Sequence, residues 1–249
     1  MNRIRQDRIK DFIEEKNVVT IRQLQELFPD VSLMTIHRDL DALEAAGVVV
    51  KFRGGARSVR YAGDPEFNVR MQDNNSGKML IARKAMELIQ PHSSVFLDAS
   101  TTNLALARSL PDINLNIFTT GPSIALELCR LHNPVVTLCC GTINRKNLAV
   151  SGQNTLEMLE RINIDTAFIG VSGCSVDAGF TCGTEGDMLV KRLVIRKART
   201  SVIMCGQEKL RCLMPYTFAT MEDVDYLISD ETMPEPFQKA AQAFGTVLL

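Results

Sequence analysis

The chain has 249 residues, 45% of them hydrophobic and 23% charged, a composition ordinary for a globular protein. That length accommodates one large domain or two small ones. With 28 Lys+Arg against 29 Asp+Glu the formal net charge is −1, which excludes a uniformly basic nucleic-acid wrapper and an acidic disordered tail.

Seven cysteines fall at positions 129, 139, 140, 174, 182, 205 and 212, an odd number with no CxxC pair. A disulfide scaffold or zinc ribbon is therefore excluded, and the thiols are expected to be small buried hydrophobes. No metal-ligand spacing or GxGxxG fingerprint occurs, so neither metal nor cofactor is expected. The opening residues Met-Asn-Arg-Ile-Arg-Gln-Asp-Arg lead into no apolar run, and no stretch approaches the ~18 apolar residues of a membrane span. The expectation is a soluble, cytoplasmic protein with no membrane partner.

Residues 1–62 carry 11 Lys+Arg against 9 Asp+Glu, and the remainder is mildly acidic. Gly63 and Pro65 punctuate the junction. The expected organisation is a small domain over 1–62, a linker over 63–75 and an α/β domain over 76–249.

The first helix is expected over 3–16, with Ile4, Ile9, Phe12 and Ile13 inward. Thr20 then caps a short helix carrying Ile21, Leu24, Leu27 and Phe28 on one face. Ser32 caps a third helix that runs to about Ala46 and stops at Gly47. In it Ile36, Leu40 and Leu43 fall at i, i+4 and i+7 and face the core. Thr35, Arg38, Asp39 and Ala42 are turned outward, with His37 at the edge. Two short helices joined by a tight turn, the second with a polar N-terminal half, fit a helix-turn-helix. Two β-type runs, 48–52 and 58–61, flank Arg53-Gly54-Gly55-Ala56-Arg57 and read as a hairpin wing. The expected DNA contacts are Ser32, Thr35, His37 and Arg38 on the helix. On the wing they are the cations Lys51, Arg53, Arg57 and Arg60, with Gly54 and Gly55 letting the backbone approach the duplex.

These residues resemble the helix-turn-helix signature of the DeoR-type family of bacterial repressors, which usually reads Ser-x-x-Thr-Ile-Arg-Arg-Asp-Leu, then Leu, Gly and His-Gly-Gly-Ala. This chain has Ser32, Thr35, Ile36, His37, Arg38, Asp39, Leu40, Leu43, Gly47, Arg53, Gly54, Gly55 and Ala56. It departs at His37, where Arg is usual, and at Arg53, where His is usual.

Beyond the linker, a helix at 76–89 is expected to bury Met79, Ala82, Ala85, Met86 and Ile89. Strand-like runs at 94–97, 115–118, 135–138, 167–170, 201–204 and 226–228 alternate with helical runs, which implies parallel strands with crossover helices. In such a sheet a ligand binds at the carboxyl ends of the strands. Asp98 ends the first strand, and Ser100, Thr101 and Thr102 start the next helix, where hydroxyls and free N–H groups suit a phosphate. Thr119 and Thr120 end the second strand. Gly141, Ser151 and Gly152 follow the third, Glu185 lies beyond the fourth, and Lys209 follows the fifth as a candidate counter-charge. Asp98, Thr119 and Glu185 are candidates for sugar hydroxyls.

The family resemblance continues here through Arg70, Lys78, Asp98, Thr101, Thr102, Gly141, Ser151, Gly152, Asp165, Gly170, Gly179, Thr181 and Lys209. It implies an effector domain similar to sugar-phosphate isomerase and CoA-transferase folds that senses a phosphorylated sugar. Ser100, Thr120-Gly121, Cys140 and Gly206-Gln207-Glu208 depart from the family pattern. The resulting reading is a repressor of a carbohydrate operon, released from operator DNA by a phosphorylated sugar. Because one winged head covers one half-site, a homodimer or higher oligomer is expected. The alternative is a sugar-phosphate isomerase or deaminase carrying a DNA-binding head, since fold alone does not exclude catalysis.

Overall fold

The computed structural model describes residues 2–16, 18–52, 54–58, 66–210 and 212–249. The chain divides into two compact units, residues 1–63 with 72–74 and residues 64–71 with 75–249.

The first unit contains α1 (Asn2–Lys16), β1 (Val18–Thr20), α2 (Ile21–Leu27), α3 (Leu33–Ala45), β2 (Val49–Phe52) and β3 (Gly55–Ser58). Ile9 and Ile13 on α1, Leu24 on α2, and Ile36 and Leu40 on α3 are fully buried together. Ile4 is not part of this core; it is 69% exposed. Five residues separate it from Ile9, about 140° round the helix at 3.6 residues per turn, so it points away. The sheet order is β1-β3-β2, antiparallel throughout.

Both short helices have the local chemistry expected at their ends. Thr20 accepts from the Gln23 amide while the Gln23 side chain accepts from Thr20 N, a capping box. At the end of α3, Gly47 (φ +69°) donates to Glu44 O and Val48 donates to Leu43 O, a Schellman closure that needs the left-handed glycine.

The second unit begins with α4 (Phe67–Gln72) and α5 (Asn75–Met86). Part of the segment expected as linker is therefore helical. Phe67 is buried in the larger core, and its amide donates to Lys146 O at 2.9 Å. On α5 the buried face is Gly77, Lys78, Ile81, Ala82 and Ala85, whereas Met79, expected inside, is 60% exposed. The stripe 78, 81, 82, 85 follows i, i+3, i+4, i+7, and Met79 lies off it.

The remaining elements, in chain order, are β4 (Ser94–Leu97), α6 (Thr101–Ser109), β5 (Asn116–Thr119), α7 (Pro122–Leu128), β6 (Val135–Leu138), β7 (Thr142–Asn144), β8 (Ala149–Ser151), α8 (Gln153–Glu160), β9 (Ile164–Gly170), β10 (Gly173–Ser175), β11 (Gly179–Cys182), α9 (Glu185–Lys197), β12 (Ala198–Met204), β13 (Tyr216–Ala219), β14 (Tyr226–Ile228), α10 (Glu235–Phe244) and β15 (Val247–Leu248). Seven strands form one parallel sheet in the order β15-β14-β12-β9-β4-β5-β6. Both faces are covered, as parallel sheets require. Val95 and Leu97 of β4 pack with α5, α6 and α7, and Phe96 between them packs on the opposite side with α9 and α10. Two small antiparallel sheets, β7-β8 and β10-β11-β13, stand apart from the parallel sheet.

Five cysteines are buried as expected, but Cys129 and Cys140 are exposed. Burial raises the Cys139 thiol to about 12, which leaves it unreactive. Among the described residues no helix is long and apolar enough to cross a membrane.

Candidate nucleic-acid interface and effector pocket

On the smaller unit, packing of Ile36, Leu40 and Leu43 inward leaves Met34, His37, Arg38 and Asp41 on the outer side of α3. Ser32 Oγ accepts from Thr35 N at 3.3 Å and lies 2.9 Å from Thr35 Oγ1, so both hydroxyls serve the helix start. Among the described residues, His37 and Arg38 make no hydrogen bond or ion pair.

Asp39 does not face outward as expected; it is 1% exposed. It lies three residues from Ile36, at the border of the core, where its carboxylate takes Arg5 Nε and, at 3.1 Å, Gln6 Nε2 from α1. It thereby fixes the angle at which α3 is presented. Asp39→Ala is expected to lower the stability of the smaller unit by about 1–2 kcal/mol, measured by urea titration of the full chain. An unchanged midpoint would mean that the apolar core alone orients α3.

The second strand of the wing begins three residues earlier than its sequence pattern implied. Phe52 pairs with Gly55, so β3 already starts at Gly55, inside the segment expected as the turn. Gly54 has φ +98°, a conformation that favours glycine. Lys51 Nζ pairs with Asp41 on α3, and Lys51 N donates to Glu44 Oε1 at 2.8 Å, which ties the wing to the helix. Arg57, expected among the phosphate contacts, is 5% exposed. It occupies the central strand, paired with Val18 on one side and Val50 on the other, rather than the exposed tip. Arg53 and Arg60 lie outside the described residues.

On the larger unit, the chain runs from β4 outward to β5 and β6, then returns to place β9 on the other side of β4. The carboxyl ends of β4 and β9 therefore flank the point where strand order reverses, the position at which open α/β sheets bind ligands. A small polar cavity of about 20 Å3, room for about one water molecule, opens there. Asp98 and Ser100 line it from β4, Gly170 and Ser172 from β9, and Arg70 from α4. Asn147 of the β7–β8 turn and Asp187 and Lys191 of α9 complete its polar wall.

Asp98 is the hub. Its Oδ1 accepts from Ser100 N at 3.0 Å and Asn103 Nδ2 at 2.7 Å; its Oδ2 accepts from Gly170 N at 3.0 Å and from Lys191 Nζ. Lys191 Nζ also donates to Gly170 O at 2.7 Å and lies 3.5 Å from Asp187 Oδ2. Burial alone raises the Asp98 carboxyl, but the charge of Lys191 and hydrogen bonds from Lys191, Ser100 and Asn103 outweigh it and hold the group below the usual carboxylate range. Burial likewise disfavours the Lys191 ammonium, yet Asp187 and Asp98 raise its pKa above the ordinary value.

Ser100 caps α6 through Asn103 N at 3.1 Å, and a Cβ on Gly170 would lie 2.4 Å from the Ser100 Cβ, so this glycine keeps the two strand ends close. Thr101 is buried and Thr102 half-buried in the first turn of α6. The other expected residues are more dispersed. Thr119 Oγ1 accepts from Gly121 N at 3.0 Å, and Thr120 O accepts from Val150 N at 2.8 Å. Gly141 has φ +145°, and a Cβ there would lie 2.3 Å from Thr155 Oγ1. Ser151 ends β8, and Gly152 (φ +123°) precedes α8. Lys209 sits beyond β12, 3.6 Å from Glu208 Oε1, and Glu185 is exposed at the start of α9; neither lines the cavity.

Sequence reasoning missed Lys191, Asn103 and Asn147. One signal was available for Lys191. It interrupts the apolar face formed by Val190, Leu193 and Val194, and a charge inside such a face requires a buried partner.

Comparison with known proteins matches residues 5–61 to the family described as DeoR-like helix-turn-helix domain and residues 73–231 to that described as DeoR C terminal sensor domain. The HTH-type transcriptional regulator GolR of Listeria innocua is 30% identical, with 97% of this chain and 95% of that protein covered. The HTH-type transcriptional repressor GlcR of Bacillus subtilis is 30% identical, with 97% of this chain and 93% of that protein covered. Among solved structures, ribose 5-phosphate isomerase A from Methanocaldococcus jannaschii is similar at a TM-score of 0.40 and 16% identity, covering 55% of each chain. A winged head with an outward polar helix, a parallel-sheet second unit, the two family matches and transcriptional regulators related over nearly their full length lead to one assignment: the chain belongs to the DeoR family of HTH-type transcriptional regulators.

Proposed function

We propose that this regulator is a repressor of carbohydrate use that acts in the cytoplasm as a homodimer or larger assembly and leaves its operator when a phosphorylated sugar enters the sensor. The observation that carries this reading is the polar cavity at the β4–β9 switch point, beside the N-terminus of α6. The first-turn N–H groups of α6, with Ser100, Thr101 and Thr102, suit a phosphate. Asp187, held by Lys191, offers carboxylate oxygens to hydroxyls, whereas Asp98, its oxygens already taken by four donors, holds Lys191 and the start of α6 in place. Thr119, Thr120, Gly141, Ser151, Gly152, Glu185 and Lys209 act in shaping the surrounding loops. On the smaller unit, Ser32, Thr35, His37 and Arg38 meet DNA from α3, and Lys51, Arg53, Gly54 and Arg60 from the wing, whereas Gly55, expected among these contacts, is buried in β3.

The sensor binds its ligand without converting it. Asp98 is kept ionised and Lys191 protonated, so neither is tuned for proton transfer near neutral pH. The histidines stand elsewhere: His37 is on α3, and exposed His92 and His132 do not line the cavity.

The test is a thermal-shift screen of phosphorylated sugars, followed by binding to promoter duplex at about 150 mM salt. A sugar phosphate that raises the melting temperature should weaken DNA binding, and DNA should weaken sugar binding by the same factor. Turnover of a sugar phosphate by the purified protein would establish the enzymatic alternative instead.

A further inference from the structure

The first turn of α3 carries two large apolar side chains in solvent, Met34 at 73% and Leu33 at 47% exposure. At about 100° per residue, Met34 points almost directly away from the face formed by Ile36, Leu40 and Leu43. It shares its stripe with His37, Arg38 and Asp41, at i+3, i+4 and i+7. Asp41 is already paired with Lys51 of the wing, so its charge is compensated. The apolar element is therefore continuous with the polar surface read as DNA-facing, at the end of the helix that comes nearest to base edges in this fold.

A thioether side chain offers a base edge no hydrogen-bond donor. In the major groove the complementary apolar feature is the C5-methyl group of thymine. We infer that Met34, with Leu33 beside it, reads thymine methyl groups and that Arg38 reads a guanine close by. Four residues of helix span about 6 Å, and bases along one strand are about 3.4 Å apart, so the thymine and guanine fall within roughly two base pairs of each other. This inference rests on α3 being the DNA-facing helix and adds what that helix selects.

The full-length protein would first select duplexes from a random-sequence library. Each thymine of the recovered duplex would then be replaced in turn by deoxyuridine, which removes only the methyl group. At one or two positions near a guanine, replacement is expected to weaken wild-type binding about fourfold, the worth of one buried methyl group. The Met34→Ala protein should bind the thymine and deoxyuridine duplexes alike. If the wild type binds its selected duplex but ignores every replacement, or if Met34→Ala retains full sensitivity, the inference is overturned while DNA binding stands. If no duplex is selected, DNA recognition by α3 fails as well. If Met34→Ala alters only self-association, the patch belongs to a second copy of the chain and the inference is overturned.

Discussion

Lys191→Met is expected to destabilise the sensor unit by about 3–5 kcal/mol, because it strands the Asp98 carboxylate in a site that is 1% exposed. Three donors remain on Asp98, from Ser100, Asn103 and Gly170, but none carries a positive charge. At about 2–4 °C per kcal/mol for a domain of this size, the melting temperature should fall by roughly 6–20 °C. The double variant Asp98→Asn, Lys191→Met should recover much of that loss, since a buried pair removed whole leaves no uncompensated charge. A single variant within 1 kcal/mol of wild type, or a double variant no better than the single, would show that water reaches the pair and that it contributes little. The same pair sets a pH dependence. Asp98 titrates lower in the folded than in the unfolded chain, so its contribution is fully present above about pH 4, the unfolded carboxylate range, and is lost as pH falls through the folded value. Lys191 titrates higher when folded, so its contribution is present below about pH 10 and is lost only as pH rises beyond that. Between those limits the pair should contribute a constant amount, and in the double variant the acid limb of the stability profile should flatten.

The second large effect concerns α3. Arg38→Ala is expected to weaken binding to the preferred duplex by about 1–3 kcal/mol, a factor of roughly 5 to 150, while leaving random duplex nearly unchanged. The reasoning is geometric: Arg38 is exposed, free of partners among the described residues, and one turn beyond Met34 on the outer face. A guanidinium in that position can take guanine O6 and N7 together, which an alkyl side chain cannot replace. Equal losses on preferred and random DNA would reduce Arg38 to a phosphate contact. The salt dependence separates the two roles, since removing one phosphate contact lowers the slope of log K against log salt by about one.

Local chemistry made the smaller unit readable. Thr20 and Ser32 cap their helices through groups three residues away, Gly47 closes α3 in a left-handed conformation, and Ile36, Leu40 and Leu43 show the helical period. All of this information lies within a turn or two. Asp39 was misread because its partner, Arg5, is 34 residues earlier. Arg57 was misread because a basic residue beside two glycines looks like a turn, whereas β1 pairs with β3 and makes it the central strand.

In the larger unit, the parallel strands were legible as apolar runs separated by helices. The three-residue strands β7, β8 and β10 were not, being too short for any period to show. Asp98 and Ser100 could be named in advance because a strand that ends directly in a capped helix presents its polar groups at the sheet edge. Lys191 reaches Asp98 across 93 residues, and Asp187 joins them one helical turn away. By itself, then, the sequence determined where helices begin and end, which faces are apolar, and which strand ends are polar, since capping and periodicity act over a few residues. Only the tertiary structure decided which polar ends meet: strand order, set by burying both faces of one sheet, places β9 beside β4 and brings α9 over both.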